Sequence, residues 1–127
     1  MSPQLNVTIT GPVMEVSMNR PPVNAINLAL SREMYAAFHR LNEDAELRVA
    51  ILSSAGNAKN IFSAGWDLKA FAAGESRDDE NGFDLGPGGL GGLPGFFDLY
   101  KPVVVALAGG AIGGGFELAH GGDVILC

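Results

Sequence analysis

Two runs in this chain place small residues beside residues that can do chemistry: Phe62-Ser63-Ala64-Gly65-Trp66-Asp67-Leu68 and Gly113-Gly114-Gly115-Phe116-Glu117-Leu118-Ala119. Each reads as a junction from a buried strand into a helix. At such a junction the first backbone N–H groups of the helix have no partner within it and point outwards. Two of them, from different loops and aimed at one oxygen, form an oxyanion hole. Glycine and alanine suit that role, because a larger side chain would block a ligand. Glu117 follows Gly114 by three residues, within the first helical turn, so its carboxylate can reach the carbon beside a carbonyl polarised there. The positive end of the helix dipole favours the ionised carboxylate that a general base requires.

Plainer readings stand beside these. A glycine-rich run before a helix is often a phosphate loop or a site of tight packing. Gly109 to Gly115 lacks the spacing of the dinucleotide fingerprint, and the chain has neither Gly-Lys-Ser/Thr nor Gly-x-Ser-x-Gly. Taken alone, Glu117 is a solvated helix residue. Asp67 reads as a helix cap before it reads as an acid or base. Trp66 is either packing or the wall of an acyl pocket, where its face can hold a quaternary ammonium by cation–π attraction. His39 falls on the polar side of its helix, and His120, three residues after Glu117, suits a helix end. The charges Glu75, Arg77, Asp78, Asp79 and Glu80 read as a solvated loop, and no Cys/His cluster has metal-ligand spacing.

The elements that must position these runs are legible from periodicity. Asn6–Thr10 and Val13–Met18 alternate around Gly11-Pro12 as a hairpin. Asn19-Arg20-Pro21-Pro22-Val23-Asn24 cannot be helix, since the prolines fix φ and restrict the residues before them, so it is a structured loop. Leu30, Met34, Ala37, Phe38 and Leu41 recur at helical spacing from about Leu28, with Asn27 placed to cap. Val49–Ser53 and Val103–Leu107 are short apolar runs suited to buried strands. Asp67 leads a short helix through Ala73 that Gly74 ends. Glu75–Gly92, charged first and glycine-rich after, is expected to be an exposed loop, and Leu93–Leu99 to carry a helical turn despite Pro94 and Gly95. The glycines from Gly109 lead into a helix over Phe116–His120, and Asp123–Leu126 begins a third strand. Strand and helix alternate as in an α/β fold with parallel strands. The domain is expected to continue past Cys127.

The chain of 127 residues carries eight Lys and Arg against fourteen Asp and Glu, a net charge of −6. Its basic residues are scattered from Arg20 to Lys101, which leaves no surface for nucleic acid. An anionic ligand must be held by a local site. The single cysteine, Cys127, allows no disulfide within the chain and fits a reducing cytosol. No signal-peptide pattern opens the sequence and no apolar run nears membrane length, so a cytoplasmic protein is expected. Of the 18 glycines, eleven lie between Gly86 and Gly115, where the backbone must turn sharply or approach something closely.

Ser63-Ala64-Gly65-Trp66-Asp67-Leu68 resembles the thioester-binding loop of the crotonase (enoyl-CoA hydratase/isomerase) family. Gly113–Ala119 resembles its second oxyanion loop with the catalytic glutamate. Asn19-Arg20-Pro21 with Asn24-Ala25-Ile26 resembles its N-terminal CoA-contacting loop, and Lys101-Pro102-Val103 the strand before the glycine loop. The likeness runs in register from about residue 6 to residue 127. It implies a crotonase-like ββα spiral of which residues 1–127 are the N-terminal half. It also implies that the Ala64 and Gly114 amides hold a thioester oxygen, with Glu117 as acid/base. Val23, Ala25, Gly65, Trp66, Asp67, Leu68, Gly110 and Gly113 would contact the acyl-CoA, which is substrate, so no separate cofactor is implied. The implied activity is hydration or dehydration. Ser63–Lys69, Gly86-Pro87-Gly88-Gly89 and Gly113–Ala119 look most like members acting on carnitinyl-CoA or crotonobetainyl-CoA. Family hydratases use a second glutamate, whose motif lies past Cys127, and assemble as trimers or hexamers. A segment that binds CoA without catalysis, and an isomerase or other acyl-CoA enzyme of the same family, stay open at this stage. Half a spiral is expected to leave apolar edges such as Val103–Leu107 exposed.

Overall fold

The computed structural model describes residues 4–55, 61–72, 77–78, 82–83, 90–94, 96, 98–107, 109–111 and 113–126. The strands are β1 (Leu5–Thr10), β2 (Val13–Met18), β3 (Val49–Ser54), β4 (Ile61–Ser63), β5 (Arg77–Asp78), β6 (Gly82–Phe83), β7 (Val103–Ala106), β8 (Gly110–Ala111) and β9 (Val124–Leu126). The helices are α1 (Leu28–Glu43), α2 (Leu68–Ala72) and α3 (Gly114–His120), with a 3-10 turn at Leu90–Gly92.

The predicted hairpin is β1 and β2, paired antiparallel from Leu5 opposite Met18 to Thr10 opposite Val13. The main sheet has the order β1-β2-β3-β7-β9, and its last three pairings are parallel. Two short pairs stand apart from it, β4 with β8 in parallel and β5 with β6 antiparallel.

Alternation in the sheet and helical spacing in α1 meet in one core. Met14, Val16, Met18, Ala50, Leu52, Val103 and Val105 are buried together with Leu30, Met34, Ala37, Phe38 and Leu41 of α1. The cap of α1 is as predicted: Asn27 Oδ1 accepts the Leu30 N–H at 2.8 Å. At the other end Lys101 Nζ donates to the Asp44 carbonyl at 2.6 Å, and the Asn42 side chain bonds the Asp98 carbonyl and the Tyr100 N–H. These contacts tie the helix to the segment that leads into β7.

Several expectations are corrected. The apolar runs of β3 and β7 are fully buried only at alternate residues, with Ile51 and Val104 half-buried, because the core lies against one face of the sheet. β7 is not an exposed edge, since β3 and β9 flank it and Val103 and Val105 are inaccessible; the apolar edge is β9. Within Glu75–Gly92 the described residues include the β5–β6 pair and the turn at 90–92, where Gly91 and Gly92 are buried. Of Leu93–Leu99, where a helical turn is expected, residues 93, 94, 96, 98 and 99 are described, and Phe96 N–H donates to Leu93 O and Leu99 N–H to Phe96 O, bonds of the single-turn, i+3 type. Helix α3 begins at Gly114, two residues before its predicted start. The predicted end of the second helix at Ala73-Gly74 lies outside the described residues, as does Gly86–Gly89.

Candidate active site

The first wall is a loop that the sequence ties to itself. Asn24 has a positive φ of 51°, which asparagine tolerates better than most residues, and its Oδ1 accepts the Arg20 N–H at 2.8 Å. Its buried Nδ2 reaches across to the Phe62 carbonyl at 3.0 Å. In return Ser63 Oγ donates to the Asn24 carbonyl at 2.8 Å and accepts the Gly65 N–H at 3.1 Å. Both side chains are buried, and this exchange satisfies polar groups that would otherwise be costly there. The backbone completes the seam. Ile26 N–H donates to Gly65 O at 2.7 Å, Asp67 N–H to Ile26 O at 2.9 Å, and Ala64 N–H to Val23 O at 2.9 Å.

That last bond bears on the expected oxyanion pair, because the Ala64 amide is committed to Val23 and does not face a ligand. The two bonds that Ile26 makes to Gly65 and Asp67 form a parallel bridge centred on Trp66. In such a bridge the N–H and C=O of the central residue point to the opposite side. The Trp66 amide is therefore directed away from Ile26.

Arg20 and Asp67 brace the same wall. The guanidinium donates to the Ala25 carbonyl at 2.7 Å and lies 2.6 Å from Asp67 Oδ2. Asp67 Oδ1 accepts the N–H groups of Lys69 and Ala70, both at 3.1 Å, so the residue caps α2. The Ala70 N–H and then Arg20 hold its carboxyl below the ordinary value, against the opposing pull of burial. A carboxylate so stabilised is a poor proton carrier, which supports the cap role. Between the two loops lies a groove of about 460 Å³, lined by Val23, Ala25, Ala64, Trp66, Asp67 and Leu68 with Arg20, Pro21, Pro22 and Lys69. Gly65 is buried in the seam and does not line the groove.

The glycine loop is brought alongside by β8, which pairs with β4 at Ile61–Gly110 and Ser63–Ala111. Gly113, at a φ of 55°, precedes α3, and a side chain at Gly110 or Gly113 would meet nothing within 4 Å, so both face open space. Gly115 is the reverse. A Cβ there would stand 2.2 Å from the Ser63 carbonyl oxygen, so only glycine lets α3 approach β4 this closely. Gly114 is the first residue of α3, and its N–H has no partner inside the helix. Glu117 is exposed in the first turn. The His120 ring lies tilted against that of Phe116, with centroids 4.2 Å apart, and its Nδ1 is 3.1 Å from the Phe116 carbonyl, a helix-end arrangement. His39 is exposed and belongs to an aromatic group with Tyr35 and Phe96. Among the described residues no group of three or more His, Cys, Asp or Glu is placed to hold a metal, and no helix is long and apolar enough to cross a membrane.

Residues 8–127 match the family described as enoyl-CoA hydratase/isomerase. The chain is 50% identical over all 127 residues to proteins named carnitinyl-CoA dehydratase from Salmonella heidelberg and Salmonella agona, and it covers 46% of each. Among solved structures it is similar to a carnitinyl-CoA hydratase from Mycobacterium avium, with a TM-score of 0.83, 31% identity, and coverage of 98% of this chain and 46% of that one. It is also similar to a probable enoyl-CoA hydratase/isomerase from Mycobacterium abscessus, with a TM-score of 0.79, 35% identity, and coverage of 99% and 46%. The chain thus spans about half the length of the relatives it matches, and the crotonase-like α/β fold expected from the motifs is shared with these structures.

Proposed function

The chain belongs to the enoyl-CoA hydratase/isomerase family, and we propose that it forms the thioester-binding portion of a cofactor-independent acyl-CoA hydratase/dehydratase acting on carnitinyl-CoA or crotonobetainyl-CoA. One observation carries this reading: the β4–β8 pair and the Gly115–Ser63 contact set the start of α3 against the 63–67 loop. In this reading the two amide-bearing loops and the Glu117 carboxylate share a site beside the groove, whose lining comes from residues 20–25 and 64–69.

In hydration, the water oxygen bonds to the β-carbon of the enoyl group. The electron pair of the double bond moves onto the thioester oxygen as an enolate, and the α-carbon then takes a proton. Dehydration is the reverse. The Gly114 N–H is one donor to that oxygen. The second comes from the 64–66 loop, and the Trp66 amide takes that role in this reading because Ala64 is bonded to Val23. One such donor typically contributes about 3 kcal/mol to the transition state. Glu117 moves one proton, and the second glutamate of family hydratases would come from outside these residues. Val23, Ala25 and Leu68 lie along the CoA moiety, while Gly110 and Gly113 leave room for the acyl group. The Trp66 face meets the trimethylammonium end. The full-length protein is read as a cytoplasmic trimer or hexamer. The 127-residue chain alone is read as binding CoA without turnover, which its coverage of 46% of the relatives favours.

The test is hydration of crotonobetainyl-CoA and crotonyl-CoA by the full-length protein and by its Glu117→Gln variant. The variant should lose about 10²–10⁴-fold in kcat while retaining CoA affinity. Normal turnover by Glu117→Gln would remove the proposed role. Inactivity of the unmodified protein on both substrates, with CoA still bound, would move the chemistry to another acyl-CoA reaction.

A further inference from the structure

Helix α3 has only seven residues, too few to hold its own position, so whatever it leans on places Glu117 and the Gly114 amide. On one side it leans on β4 through Gly115. On the other it leans on the turn at 90–92. Gly91 is buried, with a φ of 75°, and a Cβ there would stand 2.8 Å from Leu118 Cδ1 and 3.2 Å from Cδ2. Leu118 is fully buried and directly follows Glu117. The turn is in turn anchored to α1. Gly91 N–H donates to the buried Ser31 Oγ at 2.9 Å, and a Cβ at Gly92 would lie 2.2 Å from the Tyr35 backbone nitrogen. Leu93 continues the contact, 3.1 Å from where a Cβ of Gly121 would be.

From this chain of contacts we infer that Gly91, held by Ser31, is a positioning residue for Glu117: it sets the depth at which Leu118 seats, and through Leu118 the placement of the carboxylate beside the 63–67 loop. The inference rests on the reading of Glu117 as the proton carrier. Its structural part, that Gly91 controls α3, stands separately. None of these groups touches a ligand in this scheme. The cost of disturbing them should therefore appear in kcat and leave binding of the CoA thioester intact.

The experiment compares Gly91→Ala, Leu118→Ala, the double variant and Gly11→Ala in the full-length protein. Gly11 has a φ of 58° with nothing within 4 Å of a Cβ, so Gly11→Ala reports the backbone strain of an alanine at positive φ without the collision. Gly91→Ala should lower kcat per folded molecule by about tenfold to a hundredfold with KM within about twofold of the unmodified protein. The double variant, which removes the Leu118 atoms in the way, should recover part of that loss. Hydrogen exchange followed by mass spectrometry should show faster exchange over 114–120 in Gly91→Ala but not over 5–18. If Gly91→Ala fails to fold, Ser31→Ala, which removes the acceptor of the Gly91 N–H, should show the same pattern in weaker form. Rates and exchange in Gly91→Ala matching those of Gly11→Ala would overturn the inference. If the unmodified protein hydrates no acyl-CoA, the hydratase reading fails by itself, and the exchange over 114–120 still decides whether Gly91 positions α3.

Discussion

At the scale of single residues, the site depends on which atoms are already bonded. Gly115 shows the steric side. A methyl group 2.2 Å from the Ser63 oxygen cannot be accommodated, so Gly115→Ala must push α3 away from β4. The expected result is destabilisation of about 1–3 kcal/mol, as for other overpacking changes. A fall in turnover of about 10²-fold should accompany it, read from thermal unfolding and hydration kinetics together. Asp67 shows the electrostatic side. Its folded carboxyl lies below the ordinary value of 3.8, so the stabilisation it contributes is fully present above that value and is lost as pH falls through the lower folded one. Thermal unfolding between neutral and acid pH should show Asp67→Asn less stable than the unmodified protein at neutral pH, with the gap closing below about pH 3.8. A gap independent of pH would mean that the ion pair and cap are not what the carboxylate supplies. The family resemblance pointed to Ala64, a small residue at a matched position, as an amide donor. The direction of an N–H depends instead on which backbone lies alongside, and Val23 takes this one. Nothing in the local sequence announces that pairing, since it joins residues 41 apart in the chain.

At the scale of elements, periodicity was a sound guide wherever an element is long enough to have a period. The hairpin and α1 with its Asn27 cap stand where alternation and helical spacing put them, and β3 and β7 where their apolar runs put them. Elements two or three residues long do not carry such a pattern. β4 and β8 are defined by their pairing with each other, and the turn at 90–92 by the close approach of Gly92 to the α1 backbone, so their existence depends on tertiary structure. Yet those short elements place the candidate site, and α1 supplies the surface on which the turn at 90–92 rests. Substituting the Asn27 cap by alanine should cost about 1 kcal/mol of stability. Because α1 also carries Ser31, the same variant should loosen the 90–94 turn more than β1. Equilibrium denaturation measures the first effect and hydrogen exchange over 90–94 against 5–10 the second. Uniform loosening of both segments would mean that the cap acts only on global stability.

At the scale of the whole molecule, the two edges of the main sheet differ in kind. β1 presents the polar residues Asn6, Thr8 and Thr10 with a single exposed apolar residue, Ile9 at 38%, so its edge is mostly polar. β9 presents Val124, Ile125 and Leu126, which are 49%, 37% and 58% exposed, with Phe116 and Tyr100 also exposed elsewhere on the surface. An apolar strand with unpaired backbone groups on its outer side is a template for another strand. The five-stranded sheet ends on a mostly polar edge at β1 and on an apolar edge at β9, so association should run through β9. The 127-residue chain expressed alone should accordingly form dimers or larger species at micromolar concentration, and Ile125→Lys should shift it towards monomer. Thr8→Lys, on the already polar edge, should change little. Sedimentation velocity across a concentration series distinguishes these cases. A compact monomer of the unmodified chain at every concentration would mean that the outer side of β9 is shielded by its own twist, and that apolar exposure there does not translate into pairing. Self-association abolished equally by Thr8→Lys would instead place the contact at β1, against the polarity argument.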